Sequence, residues 1–428
     1  MEIAIIGGGI TGLAAAHTLS KAGHRVTLFE KEPFLGGLAQ GFKAPSWKWH
    51  IEAAYHHLFT NDKSILSLIR ELGIGDKLII TRPITATLWN NRMYQLDSPI
   101  SLMKFPGLSI IDKFRTAAIL GFFKFFPFWQ LLEGVTAEHI LISIGGKRAW
   151  KTLWEPLLYG KFSTYAPRVA ASWFWARIVK RTPSLCYIAG GFHTLTHALE
   201  QSIRLYHGSI HTETSIDSIT LLPSQKIRLS WDTKTKTYDR VLVTTPTPIA
   251  KRLLPSLPSS YTKGLESIPH LHAQVLILET EKPLLTNVYW LNVTDRTFPF
   301  LAMVAHTNFM NATYYGGKHL TYVGNYLPSK HPYLTMKKEE LLHVFMPFIK
   351  KLSPLLNKKM IKNSYLFTAP FAQPVHERRY SQKIPPIQTP IPGVYMANMD
   401  YVFPWDRGTN YAVELGRKAA SLISSSHV

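Results

Sequence analysis

The alternation of apolar and polar positions divides the chain into three α/β stretches separated by two long insertions. Residues 2–6 (EIAII) form a short apolar run that ends at Gly7-Gly8-Gly9. Across residues 10–22 the spacing of Leu13, Ala16 and Leu19 is helical, with one buried face. Gly23 stops that helix, and Arg25–Phe29 (RVTLF) reads as a second strand ending at Glu30. Strand, glycine turn, helix and strand follow one another without a break.

Residues 60–180 read as mostly helical and rich in aromatic residues, with loops at Pro83, Pro99, Pro106 and Pro127. An α/β texture returns at 185–250. There a Gly190-Gly191 turn precedes a helix with Leu195, Ala198, Leu199 and Ile203 inward, and then a short strand, HTETSI. The run DRVLVTTP closes this stretch as a strand entering a turn at Pro246. Alternation over 270–330 predicts a sheet with one half-buried face. A basic helix at 337–352 follows, and GVYMANMD and TNYAVELGRKAASLI give the last strand and helix.

The glycines carry the first chemistry. Gly7, Gly9 and Gly12 form G-x-G-x-x-G between a strand and a helix. The first allows a tight turn, the second lets backbone approach a pyrophosphate, and the third lets helix and strand pack closely. The helix N-terminus then offers N–H groups and a positive dipole end to phosphates. Glu30, at the end of the second strand, is placed to accept hydrogen bonds from a ribose diol and to repel a 2′-phosphate.

Charge and cysteine content narrow the setting. The 428 residues carry 48 Lys+Arg against 27 Asp+Glu, a formal +21, which favours anionic partners. No basic tail or RNA-binding signature accompanies it, which argues against nucleic acid. A single cysteine, Cys186, fits a reducing, cytoplasmic setting, and the fingerprint beginning at Ile3 leaves no room for a signal peptide. The run AAILGFFKFFPFWQLL at 117–132 is too short and too interrupted to span a bilayer. It reads either as an interfacial segment or as a buried helix beside a hydrophobic channel. Trp47, Trp49, Trp173 and Trp175 fit such a channel or an ordinary core. No metal-ligand spacing is visible among the 18 histidines, so no metal is expected.

Beyond Glu30, the segment EKEPFLGGLAQ holds Lys31 and the Gly36-Gly37 pair. Here the sequence resembles the FAD superfamily of amine oxidases, protoporphyrinogen oxidases and phytoene desaturases, and most nearly its protoporphyrinogen-oxidase-like bacterial branch. LEGVTAEHIL, WEPLLYGKF, YWLNVTDRTFPFL, HTNF and WDRGTNYAVELGR carry that likeness. The resemblance implies FAD bound by Gly7, Gly9, Gly12, Glu30, Lys31, Gly36 and Gly37. It further implies that the backbone of Ile216 meets the adenine. Asn398, Asp406, Arg407, Gly408 and Asn410 would then lie near the flavin. The family's usual Gly-Asp after the last strand is replaced here by Ala397-Asn398 or Met399-Asp400. No cysteine follows Cys186, so a cysteinyl flavin link is excluded and non-covalent FAD is expected.

The fold this implies is α/β: a discontinuous FAD-binding Rossmann-like domain of residues 1–60, 185–250 and 385–428. An inserted α+β substrate domain would comprise residues 61–184 and 251–384. Tyr55, His56 and His57, with Tyr289, Trp290, Asn292, His306, Thr307 and Asn308, are candidates for the substrate side; His56, His57, His306 and Asn308 lead them. The paired histidines fit a base near neutral pH or a substrate-orienting pair. The main reading is an oxidase, dehydrogenase or desaturase moving a hydride from a small molecule to flavin N5. No second G-x-G-x-x-G is visible, so O2, a quinone or another carrier would reoxidise the flavin. AAYHHLFTND at 53–62 also resembles a UDP-galactopyranose mutase segment, which implies a redox-neutral alternative. A third reading is a flavoprotein peripheral to the inner face of the membrane, acting on a lipid-like substrate.

Overall fold

The computed structural model describes residues 1–425 and contains two principal sheets. Five parallel strands form the first: β1 (Glu2–Ile6), β2 (Arg25–Phe29), β3 (Ser209–His211), β4 (Arg240–Val243) and β5 (Val394–Met396), in the order β3-β2-β1-β4-β5. β1 is central because all but its first residue are buried, so it can be covered on both faces. The Ile10–Lys21, Phe192–Leu205 and Thr409–Ser425 helices pack beside it, and a three-stranded meander at 218–238 sends Ile227, Leu229 and Tyr238 into the same core.

The Ile10–Lys21 helix approaches β1 more closely than any side chain would allow. A Cβ on Gly12 would lie 2.0 Å from the Gly7 carbonyl oxygen. The C-terminal helix repeats this on the helix's other side, where a Cβ on Gly416 would lie 2.4 Å from Thr11 O.

The second sheet has seven strands, ordered Ile361–Pro374, His270–Thr280, His319–Leu327, Ala302–Ala305, Val288–Val293, Ile84–Trp89 and Arg92–Gln95. All its pairings are antiparallel except that of Val288–Val293 with Ile84–Trp89. The Lys338–Leu352 helix covers one face through Leu341, Phe345 and Ile349.

Three expectations change. Residues 60–180 contain the strands Leu78–Thr81, Ile84–Trp89 and Arg92–Gln95, where short β-branched runs were hidden by the helical texture around them. HTETSI is not a strand: β3 ends at His211, and Glu213 adopts a φ of 51°. The Lys63–Glu71 helix, beyond the expected boundary at 60, packs with the nucleotide-binding side. Glu71 pairs with Lys21 at 2.6 Å and also meets His17 and Arg417.

That helix is held by a distant cap. Its own N-cap residue, Asp62, turns its carboxylate to Phe59 N (2.8 Å), so the cap falls to Asn410. Asn410 Oδ1 accepts from Ser64 N at 3.0 Å and Ile65 N at 3.2 Å. An Asn410→Ala variant should therefore lose about 1 kcal/mol of stability, read as a lower denaturant midpoint. Asn410→Asp, which keeps the accepting oxygen, should recover most of it.

Candidate active site

The glycine turn and the Gly36–Gly37 loop meet backbone to backbone. Gly36 N donates to Gly8 O at 2.9 Å, and Gly9 forms an isolated parallel bridge with Gly36. A Cβ on Gly37 would lie 3.1 Å from Gly9 Cα, whereas one on Gly9 would meet nothing nearer than 4.0 Å. Gly9 is also the N-cap of the Ile10–Lys21 helix, and no side chain caps that end. The result is a concave cradle walled by backbone at the positive end of a helix, the chemistry a pyrophosphate needs.

Glu30 organises the cradle's edge. Its Oε2 accepts from Gly8 N at 2.7 Å and its Oε1 from Glu32 N at 2.9 Å. Each oxygen keeps a lone pair for a ribose hydroxyl. Thr214 N donates to Glu30 O at 2.8 Å, which carries the 212–217 segment and buried Ile216 to the same end of β2. Lys31 is exposed and pairs with Glu32 at 3.1 Å.

The C-terminal candidates divide. Asn398 is buried in backbone support: Oδ1 accepts from Asp400 N (3.0 Å) and Nδ2 donates to Thr245 O (2.9 Å). Asn410 serves as the distant helix cap, and Gly408 opens the last helix, donating no side chain at all. Asp406 is buried between Arg177 (3.1 Å) and Lys161 (3.3 Å). Burial alone would raise its carboxyl, but these two cations hold it well below the usual carboxylate range. Gln373 links this group to Arg407: its Nε2 donates to Asp406 at 3.2 Å, and its Oε1 accepts from Arg407 Nε at 2.8 Å. Arg407 also donates to the Tyr326 hydroxyl. Burial draws the guanidinium down to about 10, so it remains charged.

Arg407 lines a narrow cleft between the seven-stranded sheet and the segments at 38 and 54–56. Leu38, Ala54, Tyr55 and His56 form one wall, and Ala273, Val275, Asn325, Tyr326, Ala369 and Ala372 the other. Leu38 directly follows the Gly36–Gly37 pair, so one wall of the cleft begins where the cradle's loop ends.

The histidines behave differently from the near-neutral base that their pairing suggests. Burial lowers His56 to about 4 and His57 to about 3, so both are neutral through the physiological range. His56 donates Nδ1–H to Ala54 O at 2.7 Å, which leaves Nε2 as its accepting atom. His57 Nδ1 hydrogen-bonds the Tyr289 hydroxyl at 3.1 Å. His306 and Asn308 lie away from the cleft wall. His306, lowered by burial to about 3, bonds the Tyr315 hydroxyl at 2.7 Å. Asn308 Nδ2 donates to Leu285 O and Val288 O, tying a strand-end turn.

Glu52 is the residue that the sequence reading missed. It is fully buried and accepts from Phe192 N at 2.7 Å and the Tyr187 hydroxyl at 2.9 Å, so it caps the Phe192–Leu205 helix that follows Gly190-Gly191. Burial pushes its carboxyl up to about 7. Its one sequence signal is a lone acid in the apolar stretch IEAA.

A parallel sheet, an uncapped helix end and a glycine cradle together define a dinucleotide-binding fold. The chain belongs to the flavin containing amine oxidoreductase family, whose profile matches residues 10–424. A structure from Exiguobacterium sp., provisionally assigned as a protoporphyrinogen oxidase, superposes with a TM-score of 0.78 at 18% identity, covering 99% of this chain and 98% of that one. Cyclohexylamine oxidase from Brevibacterium oxydans gives a TM-score of 0.71 at 15% identity over 99% and 98%. At these identities the likeness is one of fold. Among curated relatives, the carotenoid phi-ring synthase of Streptomyces griseus is 23% identical over 68% of this chain and 60% of its own length. The first curated relatives are matched over only part of their lengths, from 13% to 60%. The resemblance read from the motifs thus holds: the protein is a flavin-dependent oxidoreductase with an FAD-binding Rossmann-like fold.

The raised Glu52 carboxyl has a pH signature. Between about 4.5 and about 7 the unfolded chain releases this proton while the folded chain keeps it, so its contribution to stability falls as pH rises through that window. Glu52→Gln should lack this slope. Melting curves of the two proteins should therefore diverge in the variant's favour from pH 4.5 to 7 and run parallel above.

Proposed function

We propose that the chain binds FAD non-covalently in the glycine cradle and dehydrogenates an apolar small molecule held in the Arg407 cleft. The observation that carries this reading is the cleft itself: apolar walls from Leu38, Ala54, Ala273, Val275, Ala369 and Ala372, polar side chains from Tyr55, His56, Asn325, Tyr326 and Arg407, and a wall that begins just past Gly36–Gly37. When bound, the flavin supplies a two-electron acceptor that takes a hydride from a substrate C–H bond at N5.

The chain's own contribution is alignment and exclusion of water. Leu38, Ala54, Val275 and Ala372 surround the substrate with hydrocarbon. Neutral His56 offers a hydrogen-bond acceptor, not a strong base, which suits a reaction governed by placement of the C–H bond. Arg407, which hydrogen-bonds the neutral Gln373 and Tyr326, steadies an electron-rich group in the cleft. Reoxidation then falls to O2, a quinone or another diffusible carrier.

Acid precipitation of the purified protein should release FAD into the supernatant; flavin retained in the pellet would mean a covalent link. Glu30→Ala should weaken FAD retention about tenfold or more, the size expected for a lost charge-assisted hydrogen bond. Under anaerobic conditions, a polyene, porphyrinogen or amine that is the substrate should bleach the flavin spectrum. A flavin that stays oxidised with all three, in a protein that converts a UDP-sugar only after dithionite reduction, would replace this reading with the redox-neutral mutase.

A further inference from the structure

The Ile110–Phe125 helix is amphipathic the wrong way round for a soluble surface. Its inward face is narrow: Thr116, Ile119 and Phe123 are buried, with Phe123 against Phe174. Its outward face is apolar along the full length. Ile110 is 56% exposed, Phe114 63% and Phe125 86%, with Ala117, Ala118 and Gly121 between them. The stripe continues past the helix end through Phe128 (60%) and Leu131 (70%). Soluble chains rarely leave so many large apolar side chains together in water.

The edges of the stripe are cationic. By helical spacing, Lys113 and Lys124 border one side and Arg115 the other. None of the three has a carboxylate within the hydrogen bonds it makes. Lys113 donates to Met103 O, Lys124 to Val179 O and Arg115 to Ile144 O. The one acid on the helix, Asp112, is occupied with the Ser109 cap. No helix among the described residues is long and apolar enough to cross a membrane.

We propose that the exposed face of residues 110–131 docks on the surface of an anionic lipid bilayer. Phe114, Phe125, Phe128 and Leu131 enter the acyl boundary, and Lys113, Arg115 and Lys124 meet lipid phosphates at the rim. Charge selects the occupant. A second copy would bring the same three cations against themselves on a chain of net +21, whereas an anionic surface neutralises them. This inference concerns where the protein sits and stands apart from the reaction proposed for the cleft.

The test is co-sedimentation of the full-length, flavin-loaded protein with phosphatidylcholine vesicles, with and without phosphatidylserine. Wild type should pellet with the phosphatidylserine vesicles and be released by high salt. Phe114→Ser/Phe125→Ser should reduce binding about tenfold or more, since two buried side chains are lost from the lipid phase. Lys113→Glu/Arg115→Glu should abolish the preference for phosphatidylserine. Phe114, Arg115 and Phe125 are exposed and Lys113 is half-buried, so an unchanged flavin spectrum and melting curve will confirm that each variant is folded. Binding to neither vesicle, or equal binding by wild type and both variants, overturns the proposal. So does concentration-dependent self-association that the Phe variant removes while vesicles have no effect, which would assign the face to a second copy.

Discussion

Contact between backbones at the crest of the parallel sheet governs the arrangement of everything else. Gly12 lets the first helix settle against the Gly7 carbonyl, and Gly37 lets its loop touch the Gly9 backbone without a side chain between them. A methyl group at Gly12 would need more room than van der Waals contact allows, so the helix would have to tilt or withdraw. The same contact leaves the helix N-terminus facing an open cradle, uncapped by the protein itself. An anion at that place completes the hydrogen bonding that the fold leaves unmade.

Around this crest, the charge of two buried carboxylates is set by whether cations flank them. Asp406 has two cations and an amide, and through Gln373 it shares a network with Arg407 on the cleft wall. Glu52 has no cation beside it and instead carries its proton into the neutral range while capping a helix. The histidines follow the same rule, staying neutral because nothing nearby offsets the loss of water. The cleft therefore presents one permanent charge, from Arg407, against neutral walls.

Much of this was legible in the sequence because it is local. The strand–turn–helix–strand unit, the Glu30 end and the last strand and helix all come from short-range pattern, and the structure has them at nearly the same residues. What was not legible depends on partners far apart in the chain. Asn410 reads as a cofactor ligand from its loop, yet its oxygen caps a helix 346 residues earlier. Asn308 looks like a residue aimed into a site, but backbone carbonyls at Leu285 and Val288 take its amide. Glu52 drew no attention because a single acid has no periodicity; only the fold shows it meeting Phe192 and Tyr187. The outward phenylalanines of 110–131 were visible as composition, but which way they face is decided by the helices packed behind them.

The distant cap and the Gly416 contact bear on how the protein is made. The floor of the cradle is built from residues 2–12. Its support comes from β5 and from the Thr409–Ser425 helix, which lie far later in the chain. During synthesis the first helix therefore waits, its packing partner still untranslated, while nearly the whole polypeptide accumulates behind it. The cradle thus gains its full support only once residues 394–425 have been made and the last helix has packed against the first.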